Sequence, residues 1–375
     1  MAKHLVLVGG GHAHLTCLKN LPDFLNLGHK VTVLGPATHH YYSGMGPGML
    51  AVTYRPQEIR FNIEKMALAA GANFHRGTVV KILPVEKRLV TTAGEEISYD
   101  VASFNTGSGI PTSNLTIASD AKVFTVKPIE HLLKAQQHIK ERLKKKMHHI
   151  IIAGGGPAGL EITANLWRLA ANLNGKARFT LLAGRRLMRG FDEKVRTLGL
   201  KSLTRREIEV IEGTYLQEVQ TNVAVLKDGR MLPFDMIFLA LGVQPSPLFK
   251  DSGIETGPDD GLLVNEFLQS VSYPEIFGGG DCIYFQPKPL DKVGVYAVRE
   301  NPILFHNLKA ALEGRALRRF KPDGAYLLLF NMGDDRAIFS KKQLVFNGRL
   351  AFWLKDYIDR RFMKKFQVSG ELEEP

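Results

Sequence analysis

Short runs of consecutive apolar residues alternate with amphipathic stretches along this chain, and two of the runs end in three glycines. His4–Val8 leads into Gly9-Gly10-Gly11, and Ile150–Ala153 leads into Gly154-Gly155-Gly156. Brief apolar runs bounded by glycine read as strands buried on both faces, the pattern of a parallel sheet covered by helices. After each glycine turn the periodicity becomes helical, through about Asn26 in the first copy and over Leu160–Leu173 in the second. It then returns to a strand, Lys30–Leu34 and Arg178–Leu182. Two βαβ units follow from this.

Between them, Glu58–Gly71 carries apolar residues at Ile59, Ile63, Met66 and Ala70 and predicts a helix. Asn73–His75, Val79–Leu83, Arg88–Thr91 and Val101–Asn105 predict strands. Ile129–Lys146 predicts a helix whose basic end suits the macrodipole. Met236–Leu241 closes the second unit, and after about Gly261 the chain is expected to return to the first, with a helix from Tyr296 to Leu312. A third piece follows, with strands Tyr326–Phe330, Ala337–Ser340 and Gln343–Phe346 and a helix Leu350–Phe366. The expected segments are 1–120, 121–147, 148–261, 262–320 and 321–375.

The second turn is Gly154-x-Gly156-x-x-Gly159, a complete dinucleotide fingerprint; the first is Gly9-x-Gly11-x-x-His14, with histidine in place of the third glycine. In such turns the first glycine permits the bend, the second lets backbone approach a pyrophosphate and the third packs helix on strand. The expected fold class is α/β, with two Rossmann-like dinucleotide-binding domains and a small C-terminal strand–helix region. Two such turns imply two dinucleotides, and two dinucleotides imply electrons passing between them. Neither second strand ends in the acid that binds a ribose 2′-hydroxyl. The first ends Leu34-Gly35-Pro36, and the second runs Leu182-Ala183-Gly184-Arg185-Arg186, where the arginines suit a 2′-phosphate or serve only as solvated loop residues.

Composition narrows the classes further. Hydrophobic residues make up 45% and charged residues 23%, as in ordinary globular proteins. Two cysteines exclude a disulfide framework and fit a reducing compartment. No apolar run reaches the length of a membrane span and no secretory leader is visible, so the expected location is cytoplasmic, with peripheral attachment to the inner face of the cell membrane as the alternative. The net charge of +12 is concentrated late: Arg315 to Lys365 holds 13 basic and 5 acidic residues. No nucleic-acid module is recognisable, so a membrane surface is the preferred partner. None of the twelve histidines has a carboxylate or cysteine at ligand spacing, and no metal site is expected. The aromatic loop His39–Gly48 reads either as a wall near a ligand or as a packed surface loop.

Four motifs, Gly9-Gly10-Gly11, Gly154–Glu161, Phe234–Gly242 and Phe277–Asp281, resemble those of the two-dinucleotide flavoproteins of the pyridine nucleotide–disulfide oxidoreductase superfamily, over about residues 4–312. Within it the chain is similar to type II NADH dehydrogenases and sulfide:quinone oxidoreductases. It resembles most the flavoprotein module fused to selenide–water dikinase, on Gly9–Leu15, Tyr41–Gly48 and Lys292–Asn307. The resemblance implies FAD on the first domain, NADH or NADPH on the second, and an FAD-dependent NAD(P)H dehydrogenase delivering electrons to a second acceptor, with a quinone as first expectation. Cofactor contacts are expected from Gly9, Gly11, His12, His14, Gly107, Gly280, Asp281 and Ala297, and from Gly154, Gly156, Gly159, Arg185, Arg186 and Gly242. Asp281 would bond a ribityl hydroxyl. Glu161 would orient the nicotinamide carboxamide, or merely complement a helix dipole. Lys292 would sit at the flavin edge, or lie on the surface.

The chain departs from the family pattern in two places. Cys17 and Cys282 do not form a redox pair and read as buried packing residues, which argues against sulfide oxidation. The Ala-Gln pair of the type II quinone site stands here as Gly294-Val295. Two other readings therefore stay open: a flavoprotein taking electrons from a sulfur or selenium donor, and a non-catalytic nucleotide sensor. In the last helix, Leu350, Trp353, Leu354, Tyr357 and Ile358 form one apolar stripe beside Arg360, Arg361, Lys364 and Lys365. That stripe suits a membrane surface over residues 349–366, or packing on the flavin domain or on a second subunit as a homodimer.

Overall fold

The computed structural model describes residues 1–143, 146–322 and 324–374. Two five-stranded parallel sheets organise the chain. In the first, the order is Ile276–Gly278, Val101–Phe104, His4–Val8, Lys30–Gly35 and Asn73–Arg76. In the second it is Val123–Thr125, Met236–Leu239, His148–Ala153, Ala177–Leu182 and Glu209–Ile211. Each glycine turn follows the central strand, beside the point where strand order reverses and where open α/β sheets bind ligands. Leu5, Leu7, Ile150 and Ile152 in these strands are completely buried, which explains their unbroken apolar sequence.

Each sheet carries an antiparallel meander, Val79–Leu83/Arg88–Thr91/Glu96–Ser98 and Leu216–Val219/Val223–Leu226/Met231–Pro233. The C-terminal region is a three-stranded antiparallel sheet, Leu328–Asn331, Ala337–Lys341 and Leu344–Gly348, covered by the helix Arg349–Phe366. No helix among the described residues is long and apolar enough to cross a membrane.

Several elements differ from the sequence expectation, each for a local reason. The helix after the first turn is broken: a 3-10 turn His12–His14, then Leu15–Lys19, then Pro22–Leu25. Asn20 donates from its side chain to the Thr16 carbonyl, and Pro22 cannot continue the ladder. The helix expected over Glu58–Gly71 begins only at Ile63, because Asn62 caps it by accepting from Lys65 N at 2.9 Å while Arg60–Asn62 pairs as a strand with His39–Tyr41. The supposed loop His39–Gly48 thus contains that strand and the start of a helix, Gly46–Leu50. Helix Glu193–Thr204, capped by Asp192, was not anticipated. The helix expected to reach Lys146 covers Glu130–Arg142, and Lys144 and Lys145 of its charge run lie outside the described residues.

Candidate active site

Both glycine turns open on one cavity of about 970 Å³ between the two sheets. At the second turn, Gly154 has φ +135° and a Cβ there would overlap the Ala240 carbonyl; a Cβ on Gly159 would overlap the carbonyl oxygen of Gly154. Those two glycines are required by the fold. Gly156 is different: a Cβ there meets nothing within 4 Å, yet the residue lines the cavity, so its bareness serves whatever occupies that space. Helix Pro157–Asn172 starts here, with Pro157 at its first position. Gly242, at φ +89°, lines the same wall.

At the first turn a side chain does much of the holding. Asn105 accepts from Ala13 N at 2.9 Å and donates to the Gly279 carbonyl at 2.6 Å, stapling Gly9–Gly11 to the Gly279-Gly280-Asp281 turn. His14 does not line the cavity. It is completely buried behind the turn, its Nδ1 against the Gly9 carbonyl at 2.6 Å and its Nε2 against Ser103 Oγ at 2.8 Å. Burial lowers its pKa to about 4, so it is neutral, with Nδ1 as the donor to the carbonyl. A cofactor contact from this ring is therefore replaced by a structural role. His12 does line the cavity, edge-on to His40 at 5.2 Å between ring centroids. Burial lowers His12 to about 4 and His40 to about 3, and both Nε2 atoms are buried with no hydrogen-bond partner among the described residues.

Between the turns, Asp281 is bonded to Lys127 Nζ at 2.6 Å and Ser108 Oγ at 2.7 Å. Burial pushes its carboxyl up, but its partners, the Lys127 ammonium foremost and then the Ser108 hydroxyl, together outweigh this and hold it below the ordinary carboxylate range. Beneath it, Glu300 is raised to about 8 by burial and accepts from Gly280 N at 2.5 Å. Gly107 (φ +71°) and Ala297 complete this wall.

Glu161, in the second turn of helix Pro157–Asn172, faces the cavity and accepts from Asn331 N at 2.7 Å. Burial raises its pKa to about 7 against the opposing pull of Lys355 and the Asn331 N–H. Lys355, buried on the inner face of the C-terminal helix, donates to the Gly44 carbonyl and to Asp359, each at 2.6 Å, and Tyr42 donates to Asp359 at 3.0 Å. Burial alone would lower Lys355; the carboxylates of Asp359 and Glu161 outweigh it and keep the ammonium charged. Lys292 lines the cavity but is engaged, paired with Asp259 at 2.8 Å and donating to the Ile283 carbonyl. Both cysteines are buried and free, and neither lines the cavity.

Arg185 and Arg186 part company. Arg186 pairs with Glu193 at 2.5 Å, whereas Arg185 is exposed with no partner among the described residues. Sequence reasoning missed Asn105, Lys127, Lys355 and Asp359. The i,i+4 spacing of Lys355 and Asp359 marks a pair on one helix face, but nothing local says that this face is the buried one.

The residues fit two dinucleotides on structural grounds: a bare Gly156 in a cradle, the orphaned His12 Nε2, and the Asp281 carboxylate on the cavity wall with Ser108 and Lys127 bonded to it. Two Rossmann-like units with glycine turns on one shared cavity define a two-dinucleotide oxidoreductase. The family model "Pyridine nucleotide-disulphide oxidoreductase" matches residues 3–300, and the chain belongs to that family of FAD- and NAD(P)H-dependent oxidoreductases. It is 25% identical over 344 residues to ferroptosis suppressor protein 1 of Xenopus tropicalis, covering 88% of this chain and 86% of that one. It is 25% identical over 327 residues to a probable mitochondrial NADH-ubiquinone oxidoreductase of Schizosaccharomyces pombe, covering 75% of this chain and 58% of that protein. The structure of NDH2 from Plasmodium falciparum in complex with NADH superposes with a TM-score of 0.81 at 16% identity, over 99% of this chain and 98% of that one.

Proposed function

We propose that this protein is a peripheral NAD(P)H:quinone oxidoreductase. The two faces of helix Arg349–Phe366 carry this reading. Its inner face brings Lys355 and Asp359 to the cavity side, within the field of Glu161. Its outer face exposes Leu350 (68%), Trp353 (62%) and Tyr357 (50%), flanked by Arg349, Arg361 and Lys364. An apolar aromatic face ringed by cations suits the boundary of an anionic bilayer, the place where a lipid-soluble quinone is found. The ubiquinone named for the fission-yeast relative agrees with that choice of acceptor.

FAD, when bound, supplies hydride acceptance from NAD(P)H and electron delivery to a second substrate. The chain's own groups position and protonate. Gly9, Gly11 and Asp281 would hold the flavin nucleotide, and Gly154, Gly156 and Gly242 the nicotinamide nucleotide. Glu161, titrating near neutrality, holds a proton that quinone reduction consumes, and Lys355 is the cation that keeps the carboxylate form tolerable. On Gly9–Leu15, Tyr41–Gly48 and Lys292–Asn307 we also group the chain with the flavoprotein module of selenide–water dikinase fusions.

The test is anaerobic titration of the FAD-loaded protein with NADH and NADPH, followed by a short-chain ubiquinone. Bleaching and then return of the yellow colour is expected. No bleaching with either nucleotide would end the dehydrogenase reading, and bleaching without recovery would end the quinone reading. Flotation with anionic liposomes, before and after Trp353→Ala/Tyr357→Ala, tests the surface. Binding lost in the variant supports the membrane. A change in mass alone, without liposome binding in either form, assigns the face to a second copy.

A further inference from the structure

Segment 367–374, which follows the last helix, is fastened to the first unit by charge rather than by apolar burial. Around the Glu374 carboxylate converge Asn62 Nδ2 at 2.5 Å, His39 Nε2 at 2.8 Å, Arg60 at 3.0 Å and Lys65 Nζ at 3.1 Å. Burial would raise this carboxyl, but Asn62, His39 and Lys65 outweigh it and bring the pKa down to about 2. The apolar residues of the segment take no part: Val368 and Leu372 are 53% and 54% exposed, whereas Phe366, which ends the helix, is buried.

What the segment grips is a wall of the cavity. Strands His39–Tyr41 and Arg60–Asn62 form a ribbon of their own, a unit that is marginal in isolation. Its centre is fixed by packing, with Phe61 completely buried and edge-on to Phe362 at 6.3 Å. Its backbone and its His39–Asn62 end are fastened by the segment. Gln367 donates to the carbonyls of Gln57 at 2.8 Å and Arg60 at 2.9 Å, and the buried Glu371 accepts from Asn62 N at 3.2 Å. His39, His40 and Tyr41 line the cavity, and His40 rests on His12 beside the first glycine turn.

We infer that His39, Arg60, Asn62 and Lys65 form a carboxylate-binding catch, and that segment 367–374 is a strap which this catch holds shut against the cavity wall, retaining the nucleotide at the first glycine turn. A fastening made of surface charges and hydrogen bonds opens locally while the core stays folded, and salt weakens it. Opening frees the His39 end of the ribbon and lets the nucleotide exchange. The retention part rests on the placement of FAD at the first turn; the strap itself does not.

Hydrogen exchange of the FAD-loaded protein is compared with that of Glu374→Ala and of Glu373→Ala, which removes the same charge from an exposed position. Exchange over residues 38–41 and 60–65 is expected to be at least roughly tenfold faster in Glu374→Ala alone, with FAD released faster to a similar degree. In the unaltered protein, raising salt to about 0.5 M should loosen the same residues, and Glu374→Ala should respond little. Exchange in Glu374→Ala no faster than in Glu373→Ala, or no response of the unaltered protein to salt, overturns the strap. Faster exchange with unchanged FAD release leaves the strap standing and removes FAD from the first turn.

Discussion

The two glycine turns share a position in their sheets but not a way of being held. The second is secured by backbone crowding: Gly154 against Ala240 and Gly159 against Gly154. In the first, Gly9 crowds the Asn105 carbonyl in the same way, but side chains do the rest, with that of Asn105 across its mouth and His14 behind it. The third residue of the fingerprint is therefore a packing requirement rather than a ligand requirement. A helix that starts close to its strand needs glycine there. One that opens through a 3-10 turn, as at His12–His14, has room for a ring that reaches back to Gly9 O and Ser103.

That contrast is sharpest under substitution. Gly159→Ala must displace the Gly154 carbonyl or the helix, and should weaken NAD(P)H binding by roughly tenfold or more while FAD is retained. Nucleotide titration alongside the flavin absorbance of the purified variant checks this. If the variant binds both normally, backbone crowding is not what fixes the second turn. His14→Gly restores the sequence fingerprint, yet it should destabilise the protein by about 2–4 kcal/mol, because a cavity opens and Ser103 loses its buried partner. Urea unfolding would read it, and an unchanged midpoint would mean that neither the packing of the His14 ring nor its hydrogen bonds hold the turn.

The pH responses of the buried histidines and of the buried carboxyls should also oppose each other. His12, His14 and His40 bind protons near pH 6.5 when unfolded but only near 4 or 3 when folded. Their stability contribution is therefore complete above about pH 6.5 and falls as pH drops through that window. His40→Phe should flatten the acid side of the stability profile by on the order of 1–2 kcal/mol between pH 6.5 and about 5. Glu161 and Glu300 work in the opposite sense, since their folded pKa values of about 7 and about 8 exceed the unfolded 4.5. Stability is lost as pH rises through those values, and Glu161→Gln should relieve part of that loss. Thermal midpoints across pH for the two variants measure both slopes. Parallel shifts in the two profiles would contradict this assignment.

Much of the molecule was legible because its signals are local. Strand His4–Val8, both glycine turns and the burial of Cys17 and Cys282 follow from short apolar runs and residue type. What was not legible depends on contacts far along the chain. The partner of the first turn is Asn105, an unremarkable residue at a strand end. The inner face of the last helix is Ala351, Lys355, Asp359 and Met363, whereas hydrophobicity alone favours Leu350, Trp353 and Tyr357, which face outward. Periodicity finds an apolar stripe but does not say what it meets. Arg186 looked as available as Arg185 until Glu193, on a helix missed from the sequence, claimed it.

The hydrogen bond from Asn105 to Gly279 spans 174 residues, and the strand beside it, Ile276–Gly278, forms the edge of the first sheet. During synthesis, the N-terminal half emerges with Val101–Phe104 as an unpaired edge and must wait while the whole second unit is made. The second unit closes its own sheet with strands between Val123 and Leu239 and can fold in that interval. The first glycine turn is thus the earliest part of the molecule to be made and among the last to be completed. Its closure carries the loop entropy of that separation, which contacts between neighbouring elements do not.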